Sequence, residues 1–504
     1  MTKNVLKNLE EMATKYPKKV AFVDKTRKIT YQDLVKESKQ IGTCIARKVG
    51  KTNQPIAVFM DKTIACIEAM LGVLYSGNFY AVLDIKSPET RLQSMMHTLQ
   101  PVLRMTNQTD EKRWKSNMAV PVMSLEDCLG QETDEALLAQ RQRKQIDTDP
   151  MYVLFTSGST GNPKGVVVSH RAVLAYTDWV IQTFHIDSHT VWGSQTPFYF
   201  SMSITDLWTT IRTGATLYII PKMCFSFPVK LIEYLQNNQI NSIYWVPSAL
   251  SIAANMGALT EGALPDLKRI MFAGEVMPTK VLNVWMKAVP KAQFVNLYGP
   301  TETTDICSYY EVKHPLKPNE KLPIGQACNN CDLLVINEQG KETQIGEKGE
   351  LYARGSFLAS GYYRNPEKTK EVFVQNPLQQ NYPEIVYKTG DIVYYNEQKE
   401  LIYVSRKDFQ IKHMGYRIEL GEIEENMHNM NGMESCACIY QPEQEKIHFF
   451  YQGNQIDEKQ VMQYAKQNLV PYMVPNQIYQ LEQMPHNASG KIDRTQLKNQ
   501  LNQL

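Results

Sequence analysis

Apolar and polar residues change between helical and strand-like spacing along the first half of the chain. Apolar side chains recur at helical spacing over residues 30–46 and 63–74, which predicts two helices. The mostly apolar run at residues 54–60 between them predicts a buried strand. Further short runs rich in β-branched and aromatic residues predict strands at residues 216–220, 242–246 and 269–272. This alternation of β and α segments predicts sheets with helices on both faces.

The pattern changes after about Lys321, where strand-like runs follow one another without helices between them. These runs, at residues 332–336 and 349–353, predict a β-rich region. Past Asp408 the chain predicts a small α/β unit, with a helix over 419–430, strands at 435–440 and 446–451, and a helix from Glu458.

These segments together predict an α/β protein of two domains. The first, residues 1–405, would contain two β/α subdomains and a β-rich subdomain. The second, residues 406–504, would be a small mobile α+β lid, with its hinge near Asp408 in a charged segment between two β runs. A chain of 504 residues is also too long to fold around one core.

Composition narrows the class of protein. The formal net charge is only +2, so charge favours neither a nucleic acid nor an anionic membrane as the partner. The N-terminal segment does not resemble a signal peptide, and no apolar run is long enough to span a membrane. Nine scattered cysteines favour reduced thiols over a disulfide framework. We expect a cytoplasmic, monomeric protein without membrane insertion.

The segment Phe155–Gly165 carries the strongest chemical signal. It places three glycines, four hydroxyl side chains and Lys164 between two strand-like runs. Glycines let backbone N–H groups turn toward an anion, and the hydroxyls and the lysine add donors and charge. It is not a Walker A loop, because Gly165 follows Lys164 where that motif needs Ser or Thr. A plain Gly/Ser-rich turn is the alternative, which the flanking strands disfavour.

Four further motifs place charged side chains at turns, at residues 296–303, 387–391, 405–420 and 487–494. In the first, a Gly-Pro turn presents Thr301 and Glu302, and a carboxylate that faces phosphates suits Mg²⁺. A solvated surface turn is the alternative there. The second ends at Asp391, which could accept hydrogen bonds from ribose hydroxyls. The last presents Lys491, a charge on a flexible stem that suits a moving anion.

In this order and at these separations, the five motifs resemble the adenylate-forming superfamily over nearly the whole chain. That superfamily contains acyl- and aryl-CoA synthetases, luciferases and the adenylation domains of nonribosomal peptide synthesis. Within it, residues 176–179, 272–278 and 407–412 most resemble the D-alanine–D-alanyl carrier protein ligases, alongside stand-alone adenylation domains. The resemblance implies two half-reactions. A carboxylate attacks the α-phosphate of ATP and expels pyrophosphate, and a thiol then attacks the acyl-adenylate.

The resemblance also implies roles for individual residues, with ATP and Mg²⁺ as cofactors. The catalytic residues would be Lys491, Thr301 and Glu302, of which Glu302 also binds Mg²⁺ and Thr301 contacts the α-phosphate. Residues that bind ATP would be Thr156, Ser157, Gly158, Ser159, Thr160, Lys164, Gly274, Glu275, Val276, Asn296, Tyr298, Gly299, Asp391 and Arg406. Lys491 would bridge the substrate carboxylate and the α-phosphate, and then leave when the lid rotates at Asp408.

The chain departs from this family pattern where the amino acid substrate should bind. The family segment that supplies an aspartate to the substrate α-ammonium has Ser201 at that position. Because an unpaired buried charge is costly, the substrate is expected to lack a normally bound α-amino group. An aryl acid or another acid without an α-amine would fit, and D-alanine is the alternative.

By alignment to the family, mostly apolar residues line the pocket for the acid. They are Phe200, Ser201, Met202, Thr205, Tyr244, Met271, Ala273, Leu297, Asp305 and Ile306. Asp305 would bond a hydroxyl or a distal amine on the substrate, or would point away into water.

Two further questions concern the thiol that accepts the acyl group and whether the protein has kept its catalytic residues. The run Arg417–Glu424 resembles the enzymes that use a carrier protein, whereas CoA ligases tend to have a proline near Leu420. We favour a phosphopantetheinyl carrier protein over CoA, on a separate chain because no carrier domain follows Leu504. A non-catalytic nucleotide-binding regulator is the remaining alternative, which the presence of Lys491, Glu302 and Asp391 disfavours.

Overall fold

The protein separates into two compact units in a computed structural model. The larger comprises residues 1–85, 99–154 and 165–407, and the smaller comprises residues 86–98, 155–164 and 408–504. The structure describes residues 3–112, 120–158, 162–255, 257–317, 320–407, 410–486 and 492–501. Each unit has its own cluster of buried apolar side chains.

Helices and strands alternate in the first part of the chain, and strands dominate from β14 to β23. The α-helices are α1 (Val5–Lys15), α2 (Tyr31–Val49), α3 (Ile64–Tyr75), α4 (Glu89–Leu99), α5 (Gln108–Glu111), α6 (Leu125–Cys128), α7 (Glu135–Arg143), α8 (His170–Phe184), α9 (Ser203–Thr213), α10 (Pro228–Asn237), α11 (Pro247–Asn255), α12 (Thr279–Ala288), α13 (Pro366–Val372), α14 (Leu420–His428), α15 (Glu458–Asn468) and α16 (Arg494–Leu501). Across the described ranges, no helix is both long enough and apolar enough to cross a bilayer.

The strands are β1 (Val20–Val23), β2 (Lys28–Thr30), β3 (Pro55–Val58), β4 (Phe79–Val82), β5 (Leu103–Thr106), β6 (Val122–Ser124), β7 (Pro150–Thr156), β8 (Lys164–Ser169), β9 (Val191–Ser194), β10 (Thr216–Ile219), β11 (Ser242–Trp245), β12 (Arg269–Phe272), β13 (Gln293–Tyr298), β14 (Ser308–Val312), β15 (Gln326–Ala327), β16 (Cys331–Ile336), β17 (Gly349–Gly355), β18 (Gly361–Tyr362), β19 (Phe373–Gln375), β20 (Ile385–Tyr395), β21 (Leu401–Arg406), β22 (Gln410–His413), β23 (Tyr416–Glu419), β24 (Met433–Gln441), β25 (Lys446–Gly453) and β26 (Gln477–Gln480). Short 3₁₀ turns lie at Lys222–Ser226, Thr301–Thr303, Pro442–Gln444 and Pro471–Met473.

One large sheet supplies the framework of the larger unit. Its strand order is β15-β14-β13-β12-β11-β9-β10-β1-β2. Strands β13, β12, β11, β9, β10 and β1 are parallel, and antiparallel strands flank them at both edges. The parallel strands are almost entirely buried, as expected when both faces of a sheet are covered. Their carboxyl ends lie along one edge, which is where open α/β sheets bind ligands.

Two further sheets complete the larger unit, and two small sheets belong to the smaller one. The second sheet has the order β18-β8-β7-β4-β3-β5-β6, and the third has β16-β17-β20-β19 with β21 paired to β20. In the smaller unit β22 pairs with β23, and β24, β25 and β26 form a sheet. Helices α14 and α15 contact each other beside that sheet.

The pattern of apolar residues located most of these elements. The predicted helices over 30–46 and 63–74 are α2 and α3, and the predicted strands at 216–220, 242–246 and 269–272 are β10, β11 and β12. The β-rich region and the order of elements past residue 410 are also confirmed. The helix predicted over 419–430 ends at His428, where no apolar residue extends the buried face before Met430.

Two glycines permit the closest helix contact in the larger unit, between α2 and α3. A Cβ atom on Gly42 would lie 2.6 Å from the Cβ of Tyr75, and one on Gly72 would lie 2.7 Å from the Cβ of Ile41. Real Cβ contacts are not this short, so each helix needs glycine at this position to reach the other. Glycine costs helix stability, and here the cost is offset by packing of the surrounding buried side chains.

We expect Gly72→Val to destabilise the protein by about 1–3 kcal/mol, because the added side chain must push Ile41 and α2 outward. The free energy of unfolding from urea titration measures this. Ala139→Val adds the same methyl groups at an exposed position of α7 and should change stability by less than about 0.5 kcal/mol. Equal effects of the two substitutions would contradict the packing account.

Candidate functional site

The carboxyl ends of neighbouring parallel strands bring the predicted pocket residues together. Tyr244 on β11 lies beside Met271 on β12 in the strand register, and Met271 lies beside Val295 on β13. Ala273 follows β12 directly, and Leu297 is near the end of β13. These strands therefore deliver four of the predicted pocket residues, Tyr244, Met271, Ala273 and Leu297, to one edge of the sheet.

Most of the predicted pocket side chains are buried. Phe200 and Ser201 are partly exposed, whereas the buried ones are Met202, Thr205, Tyr244, Met271, Ala273, Leu297, Asp305 and Ile306. The segment that contains Phe200 and Ser201 connects β9 to α9, and Thr205 lies in the first turns of α9.

Asp305 is the charged residue of this pocket, and hydroxyl groups surround its carboxylate. Its Oδ2 accepts hydrogen bonds from the Tyr176 hydroxyl at 3.0 Å, from Thr205 Oγ1 at 3.0 Å and from the Tyr244 hydroxyl at 3.2 Å. The Tyr176 and Thr205 hydroxyls also lie 2.6 Å from each other. Asp305 is only 1% exposed, so the alternative in which it points away into water is wrong.

Burial raises the pKa of Asp305 to about 6, while hydrogen bonds from the surrounding hydroxyls, that of Ser201 among them, act in the opposite direction. The carboxyl is therefore mostly ionised at neutral pH. The pKa values of Tyr176 and Tyr244 are raised, first by burial and then by the charge of Asp305, so both remain neutral donors. The pocket thus contains a buried anion held by neutral groups.

Ser201 connects this pocket to the Gly-Pro turn. Its hydroxyl oxygen accepts a hydrogen bond from Thr301 Oγ1 at 3.4 Å. Thr301 begins the 3₁₀ turn Thr301–Thr303, which follows β13. A residue predicted to contact the acid and a residue predicted to contact the α-phosphate are therefore neighbours in the larger unit.

Gly299, Pro300 and Thr301 are partly buried, but the Glu302 side chain that follows them is not solvated, so the alternative of a surface turn with a solvated Glu302 is wrong. Glu302 is fully buried, and its Oε1 accepts a hydrogen bond from the Tyr362 hydroxyl at 2.6 Å. A Cβ atom on Gly299 would lie 2.5 Å from the Ile306 Cα and 2.8 Å from the Cys307 N, so only glycine lets the turn close this tightly. Thr304 has φ of 68°, a conformation that strains a β-branched residue.

A second cluster forms around Asp391 on β20. Its Oδ1 accepts a hydrogen bond from Arg406 at 2.9 Å, and its Oδ2 accepts one from the Tyr298 hydroxyl. Thr389 holds Asp391 and Arg406 in place, because its Oγ1 accepts a hydrogen bond from the Asp391 N–H at 3.0 Å and its carbonyl accepts one from Arg406 at 3.1 Å. Two residues predicted to hold the nucleoside, Tyr298 and Arg406, therefore both contact a third, Asp391.

The remaining predicted adenine residues lie in the segment after β12 and on β13. Gly274 has φ of +93°, which favours glycine, and Val276 is 75% exposed. Glu275 accepts a hydrogen bond from the Ser248 N–H at 2.9 Å, which satisfies a backbone group in the first turn of α11. Asn296 is buried and donates to the Pro323 carbonyl at 2.7 Å, so it has a structural role.

The described part of the phosphate loop belongs to the smaller unit. Thr156 Oγ1 is buried and, among the described residues, has no hydrogen-bond partner, so it is available to a ligand oxygen. The Ser157 hydroxyl donates to the Arg417 carbonyl at 2.5 Å. A Cβ on Gly158 would collide with the Asn162 carbonyl, which makes glycine necessary there. Lys164 is the first residue of β8 and is partly exposed.

Four predicted site residues lie outside the described residues, namely Ser159, Thr160, Asp408 and Lys491. Within the described ranges, no three histidine, cysteine or acidic side chains are placed to hold a metal together. Each described cysteine is a free thiol, in agreement with the expectation of reduced cysteines.

Sequence patterns missed Tyr362, Thr389 and the partly buried Lys62, whose charge interacts with that of the buried Asp206. Tyr362 lies on a two-residue strand that gives no periodic signal, and Thr389 lies inside the motif that ends at Asp391. Lys62 donates to Ser194 Oγ at 2.8 Å, and the charge of Asp206 opposes the effect of burial on the Lys62 pKa, which is lowered. A lysine in a polar stretch gave no sign that it would be partly buried and held by Ser194.

We expect Tyr362→Phe to destabilise the protein by about 1–3 kcal/mol, because the buried Glu302 carboxylate loses a hydroxyl donor. Chemical denaturation measures the change. Tyr382→Phe removes the same atom from a side chain that is 57% exposed and should change stability by less than about 0.5 kcal/mol. An unchanged free energy of unfolding in Tyr362→Phe would show that this hydrogen bond does not support the turn.

Without ligand, we expect Asp305→Asn to have a higher free energy of unfolding at neutral pH than the unsubstituted parent protein. This difference in stability, the gap between the two proteins, should close in acid. Folding favours the protonated carboxyl, because the pKa of Asp305 rises from 3.8 in the unfolded chain to about 6. The parent therefore loses about 2 kcal/mol between pH 4 and pH 7 that the neutral asparagine retains.

Unfolding free energies of both proteins across this pH range measure that gap. Asp266→Asn makes the same substitution at an exposed position, where water surrounds the side chain in both states, and its gap should stay flat. A pH-independent gap for Asp305→Asn would contradict a buried, charged Asp305.

Comparison with known proteins places this geometry in a family. Residues 9–363 match the AMP-binding enzymes. A D-alanine–D-alanyl carrier protein ligase of Bacillus cytotoxicus is 30% identical, with 98% of each chain covered. Among solved structures, the Vibrio cholerae adenylation domain AlmE in complex with glycyl-adenosine-5′-phosphate has a TM-score of 0.85 at 23% identity, covering 100% of this chain and 98% of that one.

The fold likeness extends to holo-PA1221, an NRPS protein containing adenylation and PCP domains, with a TM-score of 0.83 at 21% identity over 99% of this chain and 84% of that one. At these identities the structures show the fold, including a large N-terminal and a smaller C-terminal part. The match over most of the chain shows the family. The protein belongs to the AMP-binding, adenylate-forming enzymes and is an AMP-forming ligase.

Proposed function

We propose that the protein activates a carboxylic acid as acyl-AMP, releases pyrophosphate, and transfers the acyl group to the phosphopantetheine thiol of a separate carrier protein. The contact between Ser201 and Thr301 is the observation that carries the first step. It joins the acid pocket to the turn proposed to contact the α-phosphate, at a hydroxyl separation of 3.4 Å. A carboxylate in that pocket would therefore approach the phosphorus atom that it attacks.

The first half-reaction needs positioning and charge stabilisation more than a base, because the attacking carboxylate is already ionised. The carboxylate oxygen bonds to the α-phosphorus, and the bond to the β-phosphate oxygen breaks. Residues 156–160 and Lys164 are proposed to hold the departing phosphates, and residues 274–276, Tyr298, Asp391 and Arg406 the nucleoside. Thr301 and Lys491 are proposed to contact the α-phosphate.

The described residues include a side chain of the type that binds a magnesium ion. Glu302 offers a carboxylate, the hard oxygen ligand that Mg²⁺ prefers, and Mg²⁺ commonly combines one or two carboxylates with substrate phosphates. When bound, the ion would neutralise phosphate charge as pyrophosphate departs. Tyr362 orients the Glu302 side chain through its hydroxyl.

The acid is proposed to lack an α-amino group bound in the manner of the family. Ser201 occupies the position of the aspartate that pairs with the α-ammonium, and a serine hydroxyl cannot neutralise that charge. D-alanine is the second candidate, since the relative from Bacillus cytotoxicus is named a D-alanine–D-alanyl carrier protein ligase. The two candidates differ in whether exchange requires an α-amine.

A carrier protein is favoured over CoA as the thiol donor. The sequence of Arg417–Glu424 resembles that of enzymes that use a carrier protein. Strand β23 passes directly into α14 at Leu420 without a proline. The name of that same relative also includes a carrier protein. Residues 406–504 are proposed to rotate as a lid about Asp408 between the two half-reactions, which removes Lys491 before the thiol attacks.

We expect ATP–pyrophosphate exchange with at least one acid from a panel of D-alanine, other amino acids, aryl acids and short fatty acids. Exchange measures reversible adenylate formation directly. Strong exchange with an α-amino acid would contradict the inference from Ser201. Absence of exchange with every acid would favour a regulator that binds nucleotide without catalysis.

We expect Lys491→Ala to lower adenylate formation by at least about 100-fold, because a positive charge that stabilises the α-phosphate is lost. Thioester formation from supplied acyl-adenylate should remain largely intact. Lys498→Ala removes a lysine from the exposed side of α16 and should leave both half-reactions unchanged. Equal loss of both half-reactions in Lys491→Ala would contradict the proposed role.

A further inference from the structure

Asp305 is a buried carboxylate whose described partners are all neutral. Three hydroxyls, from Tyr176, Thr205 and Tyr244, donate to the same oxygen, Oδ2. All three of these donors contact Oδ2, so Oδ1 can accept a further hydrogen bond from a ligand. No arginine, lysine or histidine of the described ranges forms an ion pair with Asp305, although it is 1% exposed. The pocket therefore holds a negative charge that the protein does not neutralise.

This arrangement is costly in the ligand-free protein and favourable once a cation enters. Ionisation of a buried carboxylate without a counter-ion is penalised by loss of water. A protonated amine on a ligand would gain a charge-assisted hydrogen bond in a site closed to solvent. A neutral ligand hydroxyl could also donate to Oδ1, but it would leave the buried charge without a counter-ion.

The neighbours of Asp305 indicate which carbon of the substrate would carry the amine. Thr301, proposed at the α-phosphate, contacts Ser201 at 3.4 Å. Ser201 in turn is a hydrogen-bonding neighbour of Asp305. Asp305 is therefore one contact further from the reacting carboxylate than the position at which the family binds an α-ammonium. An amine that reaches Asp305 must be attached beyond the α-carbon.

We propose that Asp305 binds a protonated amine on a carbon beyond the α-carbon of the acid, so that the substrate class is β-amino or more distal amino acids. This inference rests on the proposed adenylation of an acid in this pocket and specifies its substrate. It accounts for Ser201 and Asp305 together. The carboxylate that the family has at the position of Ser201 is absent, and Asp305 supplies a carboxylate further into the pocket. Asp305 is thus a specificity-determining residue, and Tyr176, Thr205 and Tyr244 position it.

Exchange with matched acids tests the position of the amine. The panel contains straight-chain acids of three to six carbons, each without an amine and with one amine at each possible carbon. We expect the best β-amino or more distal amino acid to exceed both its α-amino isomer and its amine-free parent by at least about 100-fold in kcat/KM. Asp305→Asn should lower that kcat/KM by about 100-fold or more. It should lower kcat/KM for the amine-free acid far less, so that the preference for the distal amine is lost.

Two further variants separate charge recognition from a structural effect. Asp305→Glu keeps the charge and should retain more of the exchange with the distal amine than Asp305→Asn. Ser201→Asp places a carboxylate at the family position and should raise exchange with the α-amino isomer. Thr205→Val removes one donor to Oδ2 and should weaken the distal preference less than Asp305→Asn does.

The outcomes distinguish this inference from the function on which it rests. Exchange that is equal with and without the distal amine, or that favours the α-amino isomer, would overturn the inference and leave adenylation standing. An unchanged preference in Asp305→Asn would overturn it as well. Absence of exchange with every acid in the panel would overturn adenylation and the inference together.

Discussion

The candidate site of the larger unit depends on the burial of two carboxylates in the connection between β13 and β14. Glu302 and Asp305 both lie inside the protein within one short turn, each held by hydroxyl groups of distant elements. Gly299 lets the chain close on itself, and Thr304 adopts a strained conformation between the two acids. Such strain persists only where the surrounding structure enforces it, and it is concentrated at functional sites.

That constraint explains why chemistry is concentrated at one edge of a sheet. The parallel strands provide an apolar layer, and the carboxyl end of β11 brings Tyr244 into contact with Asp305. The polar groups needed for recognition then come from the connections and not from the strands. A buried anion such as Asp305 costs stability in the free protein, and a ligand that neutralises it recovers that free energy on binding.

The sequence was sufficient for the elements and for the chemical motifs, because both leave local signals. Apolar spacing located α2, α3 and the parallel strands, and glycine with hydroxyl clusters located the phosphate loop and the Gly-Pro turn. It could not decide between a buried and a solvated Asp305, since burial depends on Tyr176 and Tyr244, which are distant in the chain. Tyr362 was missed for the same reason, because its contact with Glu302 is tertiary.

A crystal structure with a stable sulfamoyl analogue of the adenylate of a β- or more distal amino acid tests the central claim most directly. The account predicts the ligand ammonium nitrogen within about 3 Å of an Asp305 carboxylate oxygen. It also predicts the acyl carbon near Thr301 and Ser201. An ammonium group directed away from Asp305, with the carboxylate still contacted only by hydroxyl groups of the protein, would contradict it.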